Sequence, residues 1–291
     1  MLSPIEKILF GLLVAVCLTA TYNTFGQMGR IIMRGQGELN LKDLPQRIIK
    51  GLVALFTQGR MIRHRKISSL FHYGVAYGFI FYLLVNLVDV LEGLIPNFHL
   101  LDGNIIGNLF RLAADVFGAI VLIGVLYFLL RRFAFQSKVL VVRENVKQHP
   151  KVQDGSVRSD SLVVGLFILL HVGFRMYGTA FLIAAEGSDP WQPFGNLIAD
   201  TFLSGISEPA AMFGWHISWW IAVGLIVMFL PYFPYTKHAH LFMGPLNFMT
   251  APERTYLGQM QTLDLEDESI EQFGVNSLFD LQKTQVLDAF A

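Results

Sequence analysis

Apolar residues dominate five stretches of this chain, roughly Ile8–Ile32, Ser69–Ile95, Phe110–Phe133, Leu162–Ala185 and Ala210–Phe233. About 20 such residues in a helix cross the hydrocarbon core of a bilayer. In lipid a crossing segment has to satisfy every backbone N–H and C=O itself, which makes each stretch a helix. The pattern therefore predicts an all-α fold, a five-span transmembrane helix bundle. No internal repeat is evident, which argues against transporters built from inverted repeats.

The polar segments between the spans differ in charge. Eight Lys/Arg lie between Arg34 and Lys66 and seven between Arg131 and Arg158, with none from Ile67 to Phe110 or from Met176 to Thr236. The positive-inside rule then puts the N-terminus outside and both basic loops and the C-terminus in the cytoplasm. Within the first basic loop, Asp43 and Pro45 open a helix that runs to Phe56. Either it lies along the cytoplasmic membrane surface, as its apolar positions and its Arg47 and Lys50 allow, or it is a packed connector. The outer loop with Pro190, Trp191 and Pro193 leads into a short helix, Phe194 to Phe202. Beyond Pro252 the chain is acidic, with Glu253, Asp264, Glu266, Asp267, Glu268, Glu271, Asp280 and Asp288. It reads as a linker followed by a short helix, Ser277 to Ala289.

Composition agrees with the spans. Of 291 residues, 53% are hydrophobic and 15% charged, and the mean hydropathy of +0.49 excludes an ordinary soluble domain. Membrane lipid is thus the first partner. The zero formal net charge points to no nucleic acid. The single cysteine, Cys17, cannot make an internal disulfide, a zinc site or an iron–sulfur cluster. The first span is read as uncleaved, because only Lys7, beside Glu6, precedes it and no clear cleavage site follows.

Polar residues inside the spans carry the chemistry, because an ionisable group in hydrocarbon is costly and needs a partner. His216 stands near the outer end of span five, and Lys237, His238, Ala239 and His240 follow its inner end after Pro231 and Pro234. A histidine at each end of one span is what a haem-carrying membrane helix shows, since imidazole is a standard axial ligand of haem iron. Counting 22 residues from His216 to His238 offsets a straight helix by about 40°, and 24 to His240 by about 240°. Helical counting prefers His238, although the prolines make the count unreliable. His72 opens span two and is followed by Gly74 and Gly78, which let something bulky approach that helix. His171 lies inside span four with Arg175 one turn later on the same face. Arg175 calls for an anion, either a haem propionate or Asp115 of span three. For each histidine the competing reading is a hydrogen-bonded packing residue. His64 reads as solvated or headgroup-facing, and His99 and His149 carry no signal.

Two motifs carry a resemblance. Phe71-His72-Tyr73-Gly74 and the run Phe233 to His240 are similar to elements of the cytochrome b subunit of respiratory nitrate reductase. Lys237-His238-Ala239-His240, followed by Gly244-Pro245-Leu246-Asn247, more closely resembles the membrane halves of iron–sulfur reductases related to heterodisulfide reductase. Those include enzymes that pass electrons between electron-transfer flavoprotein and quinone. The resemblance covers about residues 1–250, which it marks as a cytochrome b-like membrane domain, with 251–291 an acidic cytoplasmic tail. It implies haem b, one or two per chain, with His72 and His240 on the inner haem iron and His216 on an outer one. The nitrate-reductase pattern has a second histidine ten residues after the first on span two, where this chain has Tyr82. Either His171 is then the second outer ligand, the favoured expectation, or the outer haem is absent. The related reductases continue into cysteine motifs for [4Fe–4S] clusters. This chain is accordingly expected to be a membrane module or a piece whose cluster-bearing part follows or is separate.

These readings lead to one expected function. The chain is a quinone-linked membrane oxidoreductase subunit of a respiratory chain in a bacterial or archaeal plasma (inner) membrane. It relays electrons between menaquinone or ubiquinone and a cytoplasmic iron–sulfur or flavoprotein partner. Glu186, Asp189 or Glu208 on the outer side, or Lys237 or His238 on the inner, would accept protons. The alternatives are an ion or proton transporter with a His–Arg pathway through spans four and five, and a passive membrane anchor without haem.

Overall fold

The computed structural model describes residues 1–58, 65–96, 98, 103–141, 145–147, 150–252, 266, 268–269 and 274–290. His64, His99 and His149 lie outside the described residues, as do Glu253, Asp264, Asp267 and Glu271 of the tail. The protein is all-α. Among the described residues, five helices are long and apolar enough to cross a membrane: Pro4–Met33, Lys66–Leu94, Ile105–Ala134, Ser156–Glu186 and Glu208–Tyr235. Each contains one of the five apolar stretches except at an end residue, and most extend beyond it, because helical hydrogen bonding continues into the polar flanks.

Apart from the single turn Pro150–Gln153, the α-helices among the described residues are α1 (Pro4–Met33), α2 (Leu44–Thr57), α3 (Lys66–Leu94), α4 (Ile105–Leu129), α5 (Ser156–Glu186), α6 (Pro193–Phe202), α7 (Glu208–Tyr232), α8 (His240–Thr250) and α9 (Lys283–Asp288). Asn104 caps α4 by accepting from the Gly107 N–H at 2.8 Å. Pro193 sits in the first turn of α6, where its missing N–H is no loss. The chain divides into two compact units, Met1–Leu18 with His64–Leu230, and Thr19–Arg63 with Pro231–Ala291.

In the first unit, α3, α4 and α5 alternate in direction. Ser68 near the start of α3 meets Tyr127 near the end of α4 at 3.1 Å, and Arg111 near the start of α4 meets Asp189 just past the end of α5 at 2.8 Å. Glycines set how close these helices come. A Cβ at Gly74 would meet Ile120 at 2.7 Å, and one at Gly124 would meet Val75 at 2.6 Å. The bulk that Gly74 and Gly78 admit is therefore the aliphatic face of α4, Ile120 and Val121. The beginning of α1 packs on α7 through Phe10, Cys17, Trp219, Val223 and Val227, and the Leu2 N–H donates to Gly93 O at 3.1 Å.

In the second unit, α2 packs on α8. Gly51 faces Met249 and Pro245, and Arg47 donates to the carbonyls of Lys42, Met249 and Ala251 at 2.7, 3.3 and 2.8 Å. The helix buries its arginine and glycine and leaves Leu44, Ile48, Ile49, Leu52, Val53 and Phe56 exposed. The tail departs from a single helix over Ser277–Ala289. A 3₁₀ turn at Leu278–Asp280 is followed by an extended Gln282, and α9 begins only at Lys283. Pairing explains the break: the Gln36 N–H donates to Leu281 O at 2.7 Å and the Lys283 N–H to Gln36 O at 3.0 Å. Val286 and Leu287 then bury against Met28, Ile32, Ala239 and Met243.

Candidate functional site

Helix α5 presents His171 and Arg175 one turn apart, and the first unit surrounds both. His171 is only 5% exposed. Its Nδ1 lies 2.7 Å from Ala222 O on α7, and its Nε2 lies 3.4 Å from the Asn86 amide nitrogen on α3. A carbonyl only accepts, so Nδ1 carries the proton and Nε2 the lone pair. That division is the one a ligating histidine usually shows, with the remote N–H tied to a backbone oxygen. The space beside it is small. A cavity of about 20 Å³, lined by Tyr82, Asn86, Phe167 and Ile226 among others, has room for about one water. Phe167 stacks on the imidazole at 5°. His171 meets the electronic requirement of an iron ligand and, as packed, not the spatial one.

Arg175 finds its anion on α3. Its Nε and Nη2 lie 3.2 and 3.4 Å from the two oxygens of Asp89, a bidentate pair. Its guanidinium carbon sits 5.9 Å from the centre of the Tyr82 ring, and the Tyr82 hydroxyl donates to Ala114 O at 3.3 Å. Asp115, the alternative partner expected from the sequence, is buried and engaged elsewhere. Its oxygens accept the N–H groups of Phe194 and Gly195 at 2.7 and 2.9 Å, at the positive end of α6. Of the two anions that the sequence offers Arg175, a haem propionate or Asp115, Asp115 is not its partner here, because helix azimuths are set by packing.

Above this pair lies a cavity of about 660 Å³. Asp89, Arg175, Glu92, Glu186 and Asp189 line it, together with aromatic residues that include Trp215 and Trp219. Its size is that of a site for a medium-sized organic ligand, and its lining is mixed, with apolar and aromatic side chains beside six ionisable ones, Arg111 included. Glu186 and Asp189, expected as proton acceptors, both face it, whereas Glu208 is not among its lining residues.

His216, near the start of α7, lies 2.9 Å through Nδ1 from Glu6 Oε1 in the first turn of α1. Oε1 also accepts from Trp220 Nε1 at 3.1 Å, and Oε2 accepts from the Ser3 N–H at 2.8 Å. A carboxylate receiving three N–H groups is an acceptor throughout, so His216 too carries its proton on Nδ1. Sequence reading had treated Glu6 only as a flanking charge. The available signal was Ser3 three residues before it, a helix-capping pair at the edge of an apolar run.

His72 is half-buried on α3 in the first unit. The stretch after α7 is broken: a 3₁₀ turn at Phe233–Tyr235, an extended Thr236, a second 3₁₀ turn at Lys237–Ala239, then α8 from His240. Straight-helix counting from His216 therefore cannot choose between His238 and His240. The His238 ring packs edge-on to Phe233 at 5.9 Å, and burial, reinforced by the neighbouring His240 and Lys237, lowers its pKa to about 4. His240 is exposed, with Nδ1 against the Lys237 carbonyl. Among the described residues no three His, Cys, Asp or Glu side chains form a metal-binding cluster. A haem iron, already held by a porphyrin, draws only one or two side chains from the protein, so a cluster of that kind is not its signature.

Two curated proteins are similar to this chain. "Probable iron-sulfur-binding oxidoreductase FadF" of Bacillus subtilis (strain 168) is 28% identical over 262 residues, 89% of this chain and 34% of that protein. "EtfAB:quinone oxidoreductase" of Syntrophomonas wolfei subsp. wolfei is 27% identical over 300 aligned positions, 97% of this chain and 37% of that protein. The chain thus spans about a third of the length of either relative. These names support a broad relationship to iron–sulfur oxidoreductases. No family model and no solved structure matches.

Proposed function

We propose that the chain is the haem b-binding membrane part of a quinone-linked oxidoreductase, in a bacterial or archaeal plasma membrane. It passes electrons between menaquinone or ubiquinone and a cytoplasmic iron–sulfur or flavoprotein partner. The observation that carries this reading is the state of the membrane imidazoles. His171 and His216 each direct Nδ1 at an oxygen acceptor, so that Nε2 is the nitrogen proposed to meet iron. The redox vocabulary in both relatives' names supports it. Bound haem would supply an iron that carries one electron at a time. His72 and His240 are the ligands of the inner site. His238, held neutral, is the alternative to His240. His216 serves the outer site, with His171 as its partner once Phe167 and Asn86 give way.

The 660 Å³ cavity is the proposed quinone site. Its aromatic walls suit a flat ring. Arg175 lines it and would donate to a ring oxygen once its bond to Asp89 opens, and Glu92, Glu186 and Asp189 line the same space as carboxylates that take up quinol protons. The N-terminus lies outside and the basic loops inside, by their charge.

A visible spectrum of the purified protein tests the reading. Dithionite should sharpen Soret and alpha bands, and His72→Ala should remove at least one haem per chain. A colourless protein would leave a transporter or a passive anchor. Full haem content in His171→Ala would make His171 a residue that joins α5 to α7 and nothing more.

A further inference from the structure

The contacts of Glu6 reach beyond helix capping. One oxygen, Oε2, closes the first turn of α1 by accepting from the Ser3 N–H at 2.8 Å, and the Glu6 N–H returns to Ser3 Oγ at 3.4 Å. A cap needs nothing more. The other oxygen, Oε1, leaves α1 altogether and receives His216 Nδ1 at 2.9 Å and Trp220 Nε1 at 3.1 Å from α7. His216 and Trp220 stand four residues apart and so share one face of their helix. The side chains of His216 and Glu6 are 28% and 21% exposed, so the pair sits at the rim of the unit. A charged carboxylate on a membrane helix is costly unless it is engaged. Trp220 takes part of Oε1, and His216 takes the rest.

Resting on the proposal that His216 is a haem ligand, we infer that Glu6 is its positioning residue. The carboxylate fixes the imidazole in the Nδ1–H form, sets the rotation of the ring, and makes Nε2 a stronger donor than a neutral acceptor would. A carboxylate behind a ligating histidine raises the basicity of the ligand. An anion near the metal and a more basic ligand both favour ferric over ferrous iron. Glu6 therefore holds the midpoint potential of the His216 haem down, and Trp220, by sharing Oε1, limits how far.

The test uses the full chain in detergent, by redox titration of the alpha band with haem content measured alongside. Glu6→Gln keeps an acceptor on His216 but removes the charge. The expected result is unchanged haem content with the midpoint of one component shifted to higher potential. Trp220→Phe frees Oε1 for the imidazole and should shift the same component the other way. Ser3→Ala removes only the Oγ that accepts the Glu6 N–H, keeps the backbone N–H on Oε2, and should leave the potential where it was. A Glu6→Gln protein that keeps both its haem and its original potentials overturns the inference, as does a Ser3→Ala shift equal to that of Glu6→Gln. Failure of the underlying reading looks different: His216→Ala would then retain all of its haem. Should Glu6→Gln fail to fold, Trp220→Phe alone decides by the sign of its shift.

Discussion

Breaking the Arg175–Asp89 pair should destabilise the first unit more than any other single polar change there. Asp89→Ala leaves a guanidinium whose side chain is only 12% exposed without its anion. Two unit charges about 4 Å apart attract by about 4 kcal/mol at an effective dielectric of 20. Removing one member of a buried pair generally costs about 3–5 kcal/mol. The pair borders the 660 Å³ cavity, through which water can partly resolvate Arg175. That places the expected loss at the low end, about 3 kcal/mol. Asp89→Asn keeps an oxygen for one of the two N–H groups, at 3.2 or 3.4 Å, and should cost about 2 kcal/mol. Arg175 also touches the Tyr82 ring, so Arg175→Ala alone is ambiguous. The double-mutant cycle Asp89→Ala with Arg175→Ala subtracts that contact and should return a coupling of about 2 kcal/mol or more. The assay is reversible unfolding in mixed micelles with increasing sodium dodecyl sulfate. Asp115→Asn in the same assay should lose about 1 kcal/mol through its cap on α6, with a coupling to Arg175 smaller than that of Asp89. Additive losses for Asp89 and Arg175, or coupling of Arg175 to Asp115 instead, would refute the pairing.

Three further outcomes are expected. Gly124→Leu places a side chain where a Cβ alone meets Val75 at 2.6 Å, so it should cost about 1–3 kcal/mol or separate α3 from α4, read by the same unfolding assay. The exposed apolar face of α2 should contact lipid, so a tryptophan replacing Phe56 should be quenched by brominated acyl chains, whereas one replacing Arg47 should not. In a Cys17→Ser background, a cysteine at Ser188 should react with an impermeant maleimide added outside intact cells, and one at Ser137 only after lysis.

The fold was legible because one physical requirement dominates it: a crossing helix must be long and apolar, and five stretches are. Side-chain partnerships were legible only where they were local. His171 and Arg175 share a face by spacing alone, and the structure keeps them on one helix turn. The partner of Arg175 is 86 residues away, on a helix whose rotation follows from Gly74 and Gly124 meeting Ile120 and Val75. No sequence period encodes that. Tyr82, read as a missing ligand, instead anchors α3 to α4 through Ala114 and lies beneath the Arg175 guanidinium. Gly74 and Gly78, read as room for something bulky, admit the side chains of α4. The choice between His238 and His240 by helical counting assumed a helix that ends at Tyr232.

A count of remaining valences separates the polar residues of the first unit by what they can still do. Asp115 has one N–H on each oxygen, and Asp89 has the Arg175 fork on both, so both oxygens of each are engaged in bonds that join two elements. Such groups lock helices together and have little left for a ligand unless the lock opens. His171 and His216 are different in kind. A neutral imidazole has one donor and one acceptor, and in both cases the donor is the nitrogen engaged at short range. The acceptor of His171 has only a 3.4 Å contact, longer than a well-made N–H···N bond. Had these histidines been recruited purely to join helices, using Nε2 as fully as Nδ1 would have yielded more stability at no extra burial. The bond to Ala222 instead leaves the nitrogen that metals take as the under-used one. On the proposed haem-binding reading, an imidazole-binding probe such as ferric protoporphyrin should bind at His216, whose side chain is 28% exposed, before it binds at the buried His171.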